Sequence, residues 1–194
     1  MKEKGSALIG VIIAIVAILL ILIIAYVGTY NSIVSLEEKV DKQYSSIKVQ
    51  LQRRADFIPN LVDTVKGYMK HEESVINEIT EARKEMTSAK DIKEMSKAND
   101  KLTAALNSLN VIVENYPDLK ANTTFIGLQD ELAGTENRIA TARRDYNEAV
   151  NAYNTKIKKM PASIIASMMG RQPKDYFDVT DSSKEEEPEV DFGN

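Results

Sequence analysis

His71 is the only histidine in the chain, and Glu72 follows it. A His-Glu step on a helix is half of a zinc-protease motif, whose second histidine, four positions on, completes a metal-binding face. That position holds Val75, so the second ligand is missing. A di-iron helical bundle needs Glu-x-x-His pairs on two helices, and the residue three before His71 is Tyr68. The lack of cysteine removes thiolate metal sites and disulfides together. Neither a Gly-x-Ser-x-Gly elbow nor a phosphate-cradling glycine loop occurs. Carboxylates are abundant, but they fall on the polar faces of amphipathic segments, where solvent is their ordinary partner. His71 itself reads as a surface or helix-edge residue. The sequence points to no catalytic residue, no cofactor and no metal, and a site built from carboxylates alone is the only enzymatic option left.

Binding chemistry has two candidate places. The first is Arg53-Arg54-Ala55-Asp56-Phe57-Ile58-Pro59-Asn60-Leu61, the densest unusual stretch. Read structurally, it is a corner between two helices: Pro59 sets the bend, Asp56 and Asn60 hold free backbone groups, and Phe57 and Leu61 close the core. Read functionally, Arg53, Arg54 and Asp56 form an interaction patch, with the arginines turned to an acidic partner or a phosphate. The second place is the end of the chain. Glu185-Glu186-Glu187-Pro188 is too charged to pack. Val190 and Phe192 then follow at alternate positions, which an extended segment puts on one side. They are candidates for a shallow groove on a neighbouring copy, on the protein itself or on another protein. The plainer alternative is a disordered, solubilising tail.

The element that must position all of this is the run 7–27, 21 residues without charge or proline and with 15 Ile, Leu and Val. As a helix it reaches ~32 Å, against ~30 Å of bilayer hydrocarbon. Its aliphatic residues favour insertion by about 4.5–9 kcal/mol in sum. A cleaved signal peptide has an apolar region of ~7–15 residues and a small residue at the cut, where this chain has Ala25-Tyr26-Val27. An uncleaved transmembrane anchor over residues 1–28 is therefore expected, with membrane lipid as its partner. Ser6, Gly10 and Ala14 recur every fourth residue and form a stripe on which transmembrane helices can pack. Small residues are nonetheless common in any membrane helix.

Beyond the anchor, apolar residues recur at spacings of three and four, the mark of buried helix faces. Residues 29–57 carry Ile33, Leu36, Val40, Tyr44, Ile47 and Leu51, with no breaker from the anchor onward except Gly28. Pro59 predicts the start of a second helix near residues 58–60, since proline is tolerated in a first turn and damaging further inside. Leu61, Val62, Val65, Tyr68, Met69, Ile76, Ile79 and Met86 supply its face. A third helix is predicted over 91–115, capped by Asp91 and facing inward through Ile92, Met95, Leu102, Leu106, Leu109 and Ile112. Tyr116-Pro117-Asp118 reads as a loop, and a long helix follows over 122–159. The expected fold is all-α: a transmembrane helix, an antiparallel up-and-down four-helix bundle over 29–160, and a last region, 161–194. That region holds a short apolar helical piece, Ile164 to Met169, against the bundle or the lipid surface, and then an acidic disordered tail from Arg171.

Charge excludes one class of partner. The chain carries −4 overall, and residues 171–194 hold three cations against eight acids. No basic footprint for nucleic acid exists.

Across these elements the chain resembles the LemA proteins, membrane-anchored bacterial proteins. The likeness runs through Gln50-Leu51-Gln52-Arg53-Arg54-x-Asp56-Phe57-Ile58-Pro59-Asn60-Leu61-Val62-x-Thr64-Val65-Lys66-Gly67-Tyr68 and on to His71-Glu72 and Ala82-Arg83. It resumes at Glu114-Asn115-Tyr116-Pro117-Asp118-Leu119-Lys120-Ala121-Asn122, at Thr135-Glu136-Asn137-Arg138-Ile139-Ala140, at Tyr146-Asn147 and at Tyr153-Asn154. Met160-Pro161 departs from it, an aromatic being expected before that proline. The resemblance implies a membrane anchor, a helical bundle, no known catalytic residues, and a domain in the cytoplasm. Lys2 and Lys4 just before the anchor point the other way by the positive-inside rule.

These readings favour a single-pass scaffold or adaptor at the bacterial cell membrane, binding an unidentified protein or copies of itself, with coiled-coil-like helices and no catalysis. A coat protein that oligomerises on the bilayer under membrane stress or in remodelling is the alternative, and an enzyme with a cryptic carboxylate site is the third.

Overall fold

The computed structural model describes residues 2–69 and 71–177, with side chains from Ile12 onward. Among these described residues six helices follow in order: α1 (Lys2–Lys66), α2 (Glu73–Ser88), α3 (Ile92–Val113), α4 (Pro117–Lys120), α5 (Thr123–Lys158) and α6 (Ala162–Met168). No strand occurs among the described residues. The all-α class is as the apolar spacing requires.

α1 corrects the expected corner. It runs unbroken through Gly28 and through Pro59 to Lys66, so the second helix does not begin at 58–60. Proline at 59 has no N–H to give the Ala55 carbonyl, which a helix interior would leave orphaned. Arg83 of α2 supplies the missing donor: its Nε reaches Ala55 O at 3.0 Å. The chain breaks instead after Lys66, where residues 67–72 form the connection and leave α2 only 16 residues long. Tyr68 is exposed there, off the buried face expected of it.

The third helix is as its cap demands. Asp91 accepts from Glu94 N at 2.8 Å, and Glu94 reaches back to Lys90 N at 2.7 Å, satisfying donors that a helix start leaves free. Val113, not Ile112, is the fully buried residue of its last turn. The expected loop at 116–118 contains the single turn α4, opened by Pro117 in the position where proline costs least. Asn122 then caps α5, accepting from Phe125 N at 3.0 Å.

The chain forms two compact units, and both α1 and α5 contribute to each. Among the described residues, one unit comprises those up to 42 with 148–174, and the other 43–147 with those from 175 onward. In the first, Ile33 and Val40 of α1, Val150, Tyr153 and Ile157 of α5, and Ala162, Ile165 and Ala166 of α6 are buried. In the second, the core takes Ile47, Leu51, Ile58, Leu61 and Val65 of α1. It also takes the inner faces of α2 and α3, Leu119 of α4, and Phe125, Leu132 and Ile139 of α5.

Residues 171–177 differ from the disordered tail expected from Arg171. In the first unit, Asn154 forms two bonds with the backbone of Lys174, at 2.8 and 2.9 Å. In the second, Asn147 does the same with Phe177, at 2.9 and 3.0 Å, and the Phe177 ring is 1% exposed. Clustered charge predicts disorder only while no apolar anchor or backbone clamp compensates, and here both exist.

Candidate functional site

Arg54 is the polar residue most at odds with its surroundings. Along α1, Ile33, Val40, Ile47, Arg54 and Leu61 recur every seventh residue, and all five are buried. An arginine thus occupies a core slot and is 3% exposed. Nη1 donates to Asn99 Oδ1 of α3 at 2.6 Å. Glu136 Oε2 of α5 lies 2.5 Å from the same nitrogen. That oxygen sits off the N–H direction and has no hydrogen-bond donor, so the contact is an ion pair and not an aligned bond. Arg54 Nε is buried without an acceptor. Burial pulls the guanidinium below its ordinary value, with Glu136 and then Asp100 opposing. Desolvation outweighs the attraction, as expected when a cation this buried meets a half-exposed acid.

A cavity of about 190 Å³ adjoins this cluster. Leu61, Leu106, Leu109, Phe125 and Leu132 supply its apolar walls, and Asn107, Asn110 and Gln129 its amides. Gln129 donates to Asn110 at 2.9 Å, tying α5 to α3. The volume is below the ~300–1,000 Å³ of ordinary small-molecule sites. It is a packing gap beside a buried ion pair.

A second cluster closes the connection after α1. The Tyr116 hydroxyl donates to the Glu72 carboxylate, which also accepts from His71 N at 3.1 Å. The phenol bond is the main force lowering the Glu72 carboxyl, against a smaller desolvation effect, and it raises the Tyr116 phenol in turn. Asn122 Nδ2 donates to Tyr68 Oη at 2.9 Å. His71 is exposed, and Val75, where a second zinc ligand would stand, is buried. Among the described residues no group of three or more His, Asp or Glu side chains converges as a metal site.

The candidate residues from the sequence therefore part company. Arg54 meets the protein's own acid. Arg53 and Asp56 are exposed; Arg53 lies 3.6 Å from Glu131, and Asp56 accepts from Gln52 at 2.8 Å. Ser6 and Gly10 lie in α1 ahead of the described side chains, and Ala14 is exposed. Val190 and Phe192 lie outside the described residues. Sequence reasoning missed Asn99, Glu136, Arg83 and the two asparagine clamps. Two signals pointed to some of them. Arg54 falls seven residues after Ile47, and the pair Tyr-Asn repeats seven residues apart, at 146–147 and 153–154.

Among the described residues one helix, by length and composition, can cross a membrane: α1, whose most apolar stretch has no residue buried by protein. With the helical units above, it defines a class, the membrane-associated all-helical proteins. The chain belongs to the LemA family, whose profile matches residues 43–192. It is 27% identical over 184 residues to magnetosome protein MamQ 2 of Paramagnetospirillum magneticum, covering 79% of this chain and 68% of the relative. It is 26% identical over 174 residues to magnetosome protein MamQ of Magnetospirillum gryphiswaldense, covering 76% and 64%. To protein LemA of Metamycoplasma hominis it is 25% identical over 146 residues, covering 74% and 66%.

Proposed function

We propose that this protein is a single-pass scaffold or adaptor that holds a protein partner at the bacterial cell membrane and performs no chemistry of its own. The observation that carries this reading is α1 itself. From Ile12 to Val27 every side chain is exposed, a state that only lipid or a partner makes tolerable for an aliphatic surface of this length. The same helix continues, with no non-helical residue, into the segment whose inner face is buried from Ile33 onward. Membership in the LemA family supports the membrane-anchored class. The polar side chains that stand out in the interior go to fixing helices against one another, which supports a binding role over a catalytic one. The family resemblance favours a soluble part on the cytoplasmic side.

Photo-crosslinking in native membranes tests it, with probes at the exposed positions 53 and 56. The expected result is a discrete protein adduct, or a homo-oligomer, that is lost when residues 1–28 are deleted. Ordered arrays of the purified chain on liposomes, seen by electron microscopy, would favour the coat reading instead. Turnover in a hydrolase screen, with or without divalent metals, would overturn the non-catalytic part.

A further inference from the structure

We infer that the exposed face of α6, together with the lysines before it, is a second membrane contact: a foot that rests on the anionic lipid headgroups beside the point where α1 enters the bilayer. The inference rests on the membrane reading of α1 and adds to it a surface whose ligand is lipid.

Three observations carry it, all within the unit formed by residues 1–42 and 148–174. The first is position. Lys174 bonds Asp41 at 2.9 Å, and Arg171 pairs with Glu37 at 2.8 Å. Going back along the chain from 174 to 171, toward α6, the partner on α1 therefore moves one turn toward the apolar span. Followed back three more residues to the end of α6 at Met168, the same trend points toward the span. Tyr26 and Tyr30, exposed and in ring contact at 6.3 Å, stand where the aromatic belt of a membrane helix belongs. From Tyr30 to Glu37 is a rise of ~10 Å, about one helix diameter. The headgroup zone beyond the hydrocarbon adds some 5–8 Å on each side. A helix on the span side of Glu37 is thereby brought to headgroup level.

The second is the character of the face. Ala162, Ile165 and Ala166 are buried, and they hold α6 to the unit. Met160, Ile164 and Met168, spaced by four, are 72%, 52% and 72% exposed. Ile164 and Met168 lie one turn apart on α6, and Met160 stands just before it, ahead of Pro161; apolar surface so concentrated on a short element has no purpose toward water. Long, flexible methionines suit an irregular lipid boundary.

The third is charge. From residue 149 to residue 174 there is no acid, while Lys156, Lys158, Lys159, Arg171 and Lys174 are all basic. Arg171 and Lys174 are turned inward to Glu37 and Asp41. Lys158 and Lys159 are exposed immediately before Met160. Basic residues flanking a small apolar face are the composition of an interfacial element, with each lysine near an anionic surface adding to binding. A protein partner would need no such placement beside the span, and the acid-free stretch would favour it only if it were itself acidic.

The chain has no cysteine, so single-cysteine variants carry an environment-sensitive fluorophore without background. Full-length Ile164→Cys and Met168→Cys, each labelled, are reconstituted into vesicles of neutral lipid and into vesicles with one-third anionic lipid. Leu20→Cys reports the span and Val111→Cys serves as a solvent control. The foot predicts a blue-shifted emission at 164 and 168, quenched by lipids brominated near the headgroup and stronger in anionic vesicles. Lys158→Gln with Lys159→Gln removes the difference between the two lipid compositions while the signal at 20 is unchanged. Water-like emission at 164 and 168 in both vesicle types, with position 20 embedded, overturns the foot and leaves the span intact. Position 20 in water overturns the span and the foot with it. Shielding of 164 in detergent that grows with protein concentration, without lipid quenching, assigns the face to a second copy and also overturns the proposal.

Discussion

Arg54 shows how one residue can be misplaced by its type and correctly placed by its spacing. Basic character argues for the surface, and the neighbouring Arg53 does lie there. The seven-residue series of buried positions argues for the core, and the core takes it. A lone polar residue in such a series specifies register and partner at a cost in stability. The cost here is visible in the unpaired Nε and in the misaligned contact with Glu136. Replacing the whole cluster is therefore expected to be cheaper than breaking it. Arg54→Met combined with Asn99→Leu and Glu136→Leu should change unfolding free energy by less than about 1 kcal/mol, because apolar side chains then replace every member of the cluster. Glu136→Ala should cost about 1–3 kcal/mol, because a buried guanidinium then keeps one neutral acceptor. Urea unfolding of the detergent-solubilised chain, followed by circular dichroism, gives the order of the two. A larger loss in the triple variant would mean that the cluster is itself a net source of stability. The slot was legible in the sequence. Its partners were not, since Asn99 and Glu136 are brought to it by packing that no local pattern encodes.

At the scale of elements, capping residues and apolar periodicity located α3 and α5 to within a residue or two, and Pro59 misled. The rule that proline ends a helix is a statement about an orphaned carbonyl, and it fails when a distant donor serves that carbonyl. Arg83 is that donor, so its presence 24 residues downstream in the same family motif set is part of why α1 continues. This makes a coupling measurable. Arg83→Ala alone strands a buried acceptor and should destabilise by about 1–3 kcal/mol. With Pro59→Ala in place, the new amide at 59 can serve Ala55 O, and the same Arg83→Ala step should cost clearly less. A double-mutant cycle on thermal or urea unfolding reads the difference, which should exceed ~0.5 kcal/mol. An additive cycle would show that the Arg83 bond is incidental and that α1 tolerates Pro59 through flexibility of its own backbone.

For the molecule as a whole, the open matter is which parts of the C-terminal region belong to the fold and which are left for partners. Sequence composition drew that line at Arg171, because charge dominates from there on. The Asn147 clamp and the buried Phe177 move it by at least seven residues. Phe177 and Phe192 look alike in sequence, each an aromatic in an acidic, polar stretch. Phe177 has an asparagine clamp and an apolar slot, and Tyr146 also donates to the adjoining Asp175 backbone at 2.8 Å. Phe177→Ala should therefore behave as a core substitution, costing about 3–5 kcal/mol and lowering the melting temperature of the solubilised chain by roughly 6–20 °C. Asn147→Ala should reproduce part of that loss. The proposed ligand role of the chain end makes the opposite demand on Val190 and Phe192. Changing both to serine should leave melting and helicity as they were while removing at least one crosslinked or co-purified species. A double variant that melts early would place those residues in the fold as well. One that keeps every interaction of the parent would reduce the end of the chain to a charged, solubilising extension.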